Sequence, residues 1–539
     1  MTGGRVQQVR QFVVCAALAF GVLAAPGARA EPLPRLISAH GRYELKVDGK
    51  PYLVLGAQVN NSSNYRSTLP QVWPAMRAID ANTIVMPVAW EQIEPREGQF
   101  DFSFLDHFLH AARRHHLHAI LLWFGTWKNG GPGYTPEWVK LDNSRFPRVV
   151  NRNGDPMPSL SPLAHATLAA DRRAFVALMR HLKAIDPQHT VIMVQVENET
   201  GTYGCVRDYS ARADRLFDGP VPRRLRRALH LGSGTWRSLF GSKAGEFFHA
   251  WNIGRFVEKV AAAGRAVDPL PMYVNAALRD PLQPGPPITY ESGGPTDDAL
   301  GVWKAAAPDI ALIGPDIYMP DSARYLRVLQ LYHRPDNALF VAETGNAAPY
   351  ARYLFAALGH QAIGFDPFGI DFTGYANYPL GARVVDAATL APFALEYRLL
   401  RPMQSLLARL SFAGRVHAVA ELDDERAQTL ELGRWRAKVS YNMPMFGTTP
   451  FAHRVPPDGG ALIGQLGPDE FLVTAVHARV SFSLAHPRPG EHVQYARVVQ
   501  GRYRDGVWHF IRLWNGDQTD WGLNFTTLQQ VLHVHLATY

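Results

Sequence analysis

VIMVQVENETG, residues 191–201, delivers a carboxylate pair, Glu197 and Glu199, straight off an apolar β-type run. Residues two apart on a strand share a face, but where a strand ends the chain turns, and one acid can be left facing a cleft. Strand ends are also where barrel enzymes keep their chemistry. A second stretch, LFVAETGNA at 339–347, repeats the design with a single acid, Glu343. Together they predict two carboxyl groups, far apart in sequence, converging on one pocket.

Working outward, residues 40–385 alternate short β-type runs with helical stretches, the pattern of a parallel α/β fold. Eight runs are legible, at 52–59, 83–89, 119–124, 191–196, 272–275, 310–313, 339–341 and 362–365. Helical patterns fall between them, for example at 104–115, 172–185, 250–263 and 323–332. Eight β/α units with long insertions after the third and fourth runs predict a (β/α)8 TIM barrel. A doubly wound open sheet is the alternative. Acids, amides and aromatics crowd the C-terminal ends of the runs: Asn60, Asn61, Trp90, Glu91, Trp127, Asn198, Glu199, Asp316, Tyr318, Glu343 and Asp366. In a barrel those ends form one face, so Asn60, Trp90, Glu91, Trp127, Asn198 and Tyr318 are candidate substrate contacts around Glu199 and Glu343.

Near residue 385 the texture changes. The stretch 392–409 still reads helical, but from 416 onward short β-type runs alternate with turn clusters, predicting a C-terminal β-sandwich-like domain. The expected division is a signal peptide at 1–30, the catalytic barrel at 31–390 and the β-rich domain at 391–539. Trp435, Trp508 and Trp521 in the last are either sugar-binding platforms or aromatic packing.

The signal peptide is read from Arg5 and Arg10, an apolar segment at 13–25, and the small-x-small site Ala28-Arg29-Ala30. As a helix that segment spans roughly 20 Å, short of the about 30 Å of bilayer hydrocarbon. Cleavage after Ala30 and a periplasmic or secreted product are therefore expected, with no stable membrane anchor. Val14 before Cys15 argues against a lipid-attachment box, and the remaining thiol, Cys205, has no partner for an internal disulfide. With 47% hydrophobic and 19% charged residues the chain is an ordinary globular protein with a large core. Losing Arg5, Arg10 and Arg29 takes the formal charge from +8 to +5, without a Lys/Arg block, so no nucleic-acid partner is indicated. Oligomeric state is not readable from the sequence.

Paired strand-end carboxylates suit glycoside hydrolysis, in which one carboxylic acid protonates the leaving oxygen and a second, ionised group meets the positive anomeric carbon. At this level Glu197 competes with Glu199, and a lone strand-end Glu also serves as an ordinary ion-pair partner. Asn198 supplies an amide that either holds a sugar hydroxyl or caps the following loop. His-Glu-x-x-His, Cys-x-x-Cys and Gly-x-Ser-x-Gly are absent, and the glycine clusters at 130–133 and 231–234 lack phosphate-loop context, so neither a metal nor a nucleotide cofactor is expected.

Asn198-Glu199, Glu343 and WEQIEPREGQFDF at 90–102 together resemble the clan A glycosidases. VQVENETG is similar to the Gln-(Ile/Val)-Glu-Asn-Glu-x-Gly signature of the family 35 β-galactosidases, and the Glu-Pro-x-x-Gly-x-(Phe/Tyr)-x-Phe segment occurs in families 35 and 42. The resemblance covers about 40–385. It implies that Glu199 is the acid/base and Glu343 the nucleophile of a retaining reaction, with Glu197 in support. It further implies that Asn198 contacts the hydroxyl beside the anomeric carbon and that Tyr318 hydrogen-bonds the nucleophile. Many family 35 members carry Ala-Glu-Trp after strand three, where this chain has Phe124-Gly125-Thr126-Trp127-Lys128-Asn129. The galactose-holding acid is thus missing, with Lys128 or Asn129 as candidate replacements. The resulting expectation is a secreted, metal-independent exo-β-galactosidase acting on plant-type oligo- or polysaccharide side chains. A same-fold enzyme for an arabinoside, fucoside or glucoside is the alternative, with a non-catalytic carbohydrate-binding protein behind it.

Overall fold

In the computed structural model, residues 1–2, 32–441 and 457–539 are described; the expected signal peptide falls almost wholly outside them. Eight parallel strands close into a barrel: β1 (Val54–Gln58), β2 (Thr83–Ala89), β3 (His118–Lys128), β4 (Val191–Asn198), β5 (Met272–Ala276), β6 (Leu312–Ile317), β7 (Val341–Thr344) and β8 (Gly364–Pro367). All eight predicted runs are strands of this barrel, which settles the choice against an open sheet. The strands read as nearly continuous apolar runs because both faces are covered: every residue of β4 is buried. One face, with Val85, Ile120, Ile192, Leu312 and Phe340, fills the interior. The other, with Leu55, Val88, Leu121 and Val194, packs in the same cluster as Phe108, Leu178, Val257 and Val328 of the surrounding helices. A three-stranded sheet (Arg35–Ala39, Arg42–Val47, Lys50–Tyr52) precedes the barrel, and its Leu45, Val47 and Tyr52 join the interior cluster at the N-terminal end.

Strands β3 to β8 run further toward their C-terminal ends than the apolar runs suggest, and those extensions shape the site. β2 and β3 pair in unbroken register from Thr83↔His118 to Ala89↔Phe124. Between β3 and β4 the register slips after Trp123↔Val196 and resumes at Lys128↔Asn198. Residues 124–127 thus bulge out of the ladder, which bends the strand and re-aims its last side chain.

After the barrel, helix Ala387–Leu400 runs through residue 390, and Tyr397 in it donates its hydroxyl to Gly56 O (2.8 Å) and Phe365 O (3.1 Å) of β1 and β8. Two antiparallel sheets follow, of six and four strands. Leu432, Trp435, Val439, Ile463, Phe471, Val473, Val480, Leu532 and Val534 form the core between them. Trp435 belongs to that core, with Nε1 donated to Asp469 at 2.9 Å. Trp508 stacks on His533 at 3.8 Å, and Trp521 is exposed. The six-stranded sheet also packs on the barrel, since Ala418, Leu462 and Leu472 share a cluster with Phe355, Leu358 and Leu410. Arg352, almost fully buried, ties the two parts through Asp423 at 2.6 Å. Among the described residues no helix is long and apolar enough to cross a membrane. Cys205 is buried, its thiol donated to Arg207 O.

Candidate active site

The end of β4 enters the left-handed region twice, at Glu197 (φ 64°) and Glu199 (φ 44°), with Asn198 between. For residues with a Cβ this costs roughly 1–3 kcal/mol each, the kind of strain that persists where surrounding structure fixes it. The reversals send neighbouring acids to different places. Glu197 turns beneath the bulge of β3, where Oε2 accepts from Trp127 N at 2.8 Å. Beside it lies Asp171, from helix His165–Ile185, which accepts from Trp123 Nε1 (2.9 Å), Thr126 N (3.0 Å) and Thr126 Oγ1 (2.5 Å). Burial, reinforced by the Asp171 charge, pushes the Glu197 carboxyl well above the usual carboxylate range, and burial raises Asp171 too. Two fully buried acids in contact cannot both ionise, so this pair holds a proton. Glu197 positions the strand end and stays out of the cleft.

Glu199, half-buried, meets Asp316 from β6 and Glu343 from β7, and one carboxylate oxygen of each lies within 4.8 Å of the other two. Glu343 is held on both oxygens: Gln58 Nε2 donates to Oε1 at 2.8 Å and the Tyr318 hydroxyl to Oε2 at 2.6 Å. Burial raises its pKa and the Glu199 charge adds to this, while the Lys128 ammonium, Tyr318 and Gln58 oppose the rise. Asp316 is pushed well above the carboxylate range by burial, then by the charges of Glu343 and Glu199. Asn275, from β5, clamps the group: its Oδ1 accepts from Glu199 N (2.9 Å) and its Nδ2 donates to Asp316 Oδ2 (2.7 Å). Lys128, re-aimed by the bulge, puts its ammonium 3.7 Å from Glu199 Oε2 and also donates to Asn129 Oδ1. Three acids around one ammonium form a site with a protonatable group and a fixed, ionisable one side by side.

The structure brings Glu199, Glu343 and Tyr318 together. Asn198 is fully buried, and among the described residues neither its amide oxygen nor its nitrogen has a hydrogen-bond partner. Asn60 is fixed by Asp371, which accepts from its backbone N (2.9 Å) and from Nδ2 (3.0 Å), with Oδ1 left without a donor. Trp90 and Trp127 lie elsewhere. Both are fully buried, Trp90 Nε1 being donated to Glu94 (2.9 Å) and Trp127 Nε1 to Ser159 Oγ (3.1 Å) and Leu160 O (3.2 Å). Their place at strand ends makes both candidate substrate contacts in the sequence, but Trp90 packs against Trp123 and Trp138, and Trp127 against Phe256. Glu91 is partly exposed and paired with Lys140 at 3.0 Å. Gln58 and Asn275 were missed; their signal was a single amide closing an apolar strand run.

In sequence, residues 63–249 match the family model Glyco_hydro_42, described as beta-galactosidase, and residues 393–526 match a domain of unknown function, DUF5597. A curated beta-galactosidase of Xanthomonas manihotis is 30% identical over 171 residues, which are 30% of this chain and 26% of that protein. The chain thus aligns with about a quarter of that relative's length. Among solved structures, the beta-galactosidase of Bacillus circulans sp. alkalophilus is 12% identical, with a TM-score of 0.47 over 66% of this chain and 57% of that one. That of Marinomonas ef1 is 13% identical, with 0.48 over 67% and 62%. The cold-adapted beta-galactosidase of Rahnella sp. R3 is 18% identical, with 0.47 over 69% and 58%. The beta-galactosidase family model thus spans β2 to β4 of the barrel, with Glu197 and Glu199 inside the matched residues.

Proposed function

We propose that the protein is a retaining exo-β-glycosidase of the β-galactosidase type, releasing terminal β-galactose from plant-type oligo- or polysaccharide side chains. The observation that carries this reading is the approach of Glu199 and Glu343, one carboxylate oxygen of each lying within 4.8 Å of the other. That spacing favours direct attack, which goes with carboxyl groups about 5–5.5 Å apart, over a water-mediated inversion at about 6.5–9.5 Å. Glu343, oriented by Tyr318 and Gln58, attacks the anomeric carbon while Glu199 protonates the leaving oxygen. Glu199 then takes a proton from water as that water displaces Glu343 from the sugar. The free amide of Asn198 supplies hydrogen bonds to the adjacent hydroxyl, an interaction that strengthens as charge develops. The family 35 signature and the family 42 match both support galactose as the sugar.

One observation favours a second sugar. The acid that many family 35 enzymes carry after strand three to hold galactose is absent from Phe124-Gly125-Thr126-Trp127-Lys128-Asn129, and Lys128 in that stretch turns to Glu199, so an arabinoside, fucoside or glucoside is the competing substrate. Secretion through the leader at 1–30 completes the proposal and places the substrate outside the cytoplasm.

The test is a panel of activated aryl glycosides with wild type, Glu343→Ala and Glu199→Ala, each with and without azide. Azide rescue of Glu343→Ala to a glycosyl azide of inverted configuration, and of Glu199→Ala to the retained one, is expected. Unchanged activity in Glu343→Ala would reject the nucleophile, and a clear preference for another glycoside would reject galactose.

A further inference from the structure

Glu199 faces a conflict of charges. The Lys128 ammonium lies 3.7 Å from its Oε2, yet a group that protonates a leaving oxygen must begin the cycle with its proton. The structure places a third carboxyl group where it answers this. Asp316 is buried on β6, Asn275 Nδ2 occupies its Oδ2 at 2.7 Å, and its Oδ1 receives no N–H or O–H donor among the described residues. The same Asn275 fixes the Glu199 backbone at 2.9 Å, so one amide sets both acids against each other. We propose that Asp316 is a positioning residue that stores a proton against Glu199, so that the Glu199–Asp316 pair, rather than Glu199 alone, supplies the leaving group's proton.

The surroundings favour this store. Burial, then the charges of Glu343 and Glu199, push the Asp316 carboxyl well above the usual carboxylate range, against the Lys128 ammonium. Other titratable groups near the cluster are Tyr318 at the end of β6, Tyr273 on β5, Tyr332 on helix Ser322–Tyr332, and Asp366 on β8, on which the Glu343 charge acts. Burial pushes the three tyrosine hydroxyls and the Asp366 carboxyl upward, which opposes a further negative charge beside the cluster. Asp316 is buried while the Glu199 side chain is 14% exposed, so the Asp316 proton exchanges with substrate or solvent through Glu199. The proton count balances. One proton leaves the pair with the leaving group, Lys128 remains beside the resulting anion, and the attacking water returns one proton as its oxygen bonds to the sugar. Two acids this close titrate as a unit.

The inference rests on the glycosidase reading above, and the experiment separates the two. The pH dependence of kcat/KM is measured for wild type, Asp316→Asn and Lys128→Met, on phenyl and dinitrophenyl glycosides of the best sugar in the panel. The alkaline limb of Asp316→Asn should fall by about one pH unit or more, and that of Lys128→Met should rise. The loss in Asp316→Asn should be about tenfold or more greater with phenol, which needs a proton, than with dinitrophenol, which does not. A limb that stays in place in Asp316→Asn, or an equal loss with both leaving groups, overturns the proton store while leaving the glycosidase intact. If Asp316→Asn does not fold, Asp316→Ser takes its place in both comparisons, because loss of the Lys128 charge raises the limb with or without Asp316. No turnover of any glycoside by wild type overturns the underlying function instead.

Discussion

Tyr318 donates its hydroxyl to Glu343 Oε2 at 2.6 Å, across the seam between β6 and β7. The bond has two effects. It fixes the carboxylate's rotation, and it stabilises the ionised form that attack requires, against the burial that opposes it. A hydrogen bond to a charged acceptor is worth about 1.5–3 kcal/mol. Tyr318→Phe should therefore lower kcat/KM on an activated aryl glycoside by roughly tenfold to a hundredfold with little change in apparent Tm. A loss smaller than about threefold would remove Tyr318 from the machinery.

The Glu197–Asp171 pair should show in stability rather than in chemistry. Both acids have folded-state pKa values raised by burial, so the folded protein keeps protons that the unfolded chain releases. Stability from such groups is complete below the ordinary carboxylate range and is lost as pH rises through the raised folded value. Glu197→Gln mimics the protonated acid without titrating. Melting curves from mild acid to alkaline pH should fall more steeply for wild type than for this variant, and parallel curves would count against a shared proton.

Gly125 sits inside the bulge that aims Lys128. A Cβ there would lie 2.9 Å from both Asp171 Oδ2 and Glu197 Oε1 and would overlap the Trp123 indole nitrogen. Gly125→Ala should cost about 1–3 kcal/mol, as crowding in a packed site does, and should depress activity by displacing Lys128. Full activity with an unshifted Tm would show that the strand end relaxes freely.

Glu199, Asp316 and Glu343 have the spacing of a cation-binding set, yet positive charge already stands beside them in Lys128. Exhaustive chelation should leave turnover unchanged, and added magnesium or calcium should not raise it. Loss of activity on chelation, restored by one metal, would assign the trio to that ion.

The barrel was legible because its strands are buried on both faces and read as uninterrupted apolar runs, with turn chemistry between them. Glu199 and Glu343 were legible for the same reason, as acids that close such runs. The choice between Glu197 and Glu199 was not readable from alternation, since two left-handed residues break the period at that point. Trp90 and Trp127 misled because an aromatic at a strand end looks alike whether a loop covers it or a ligand does. Gln58 and Asn275 were invisible for a subtler reason. An amide acquires its role only from the partners that tertiary closure brings to it, here Glu343 in one case and Glu199 with Asp316 in the other.

The packing of the six-stranded sheet on the barrel limits how this chain can be rearranged. Where Gly359 ends its helix there is no room even for a methyl group against the carbonyl of Ala418, and the apolar cluster runs on from Phe355 and Leu410 into Leu462 and Leu472 without a polar boundary. A chain cut after Phe412 would carry a bare oily wall in place of that contact and would meet water or another molecule there. Shuffling of this barrel between architectures, in the laboratory or in evolution, must take the C-terminal sheet along or supply a new cover of the same shape.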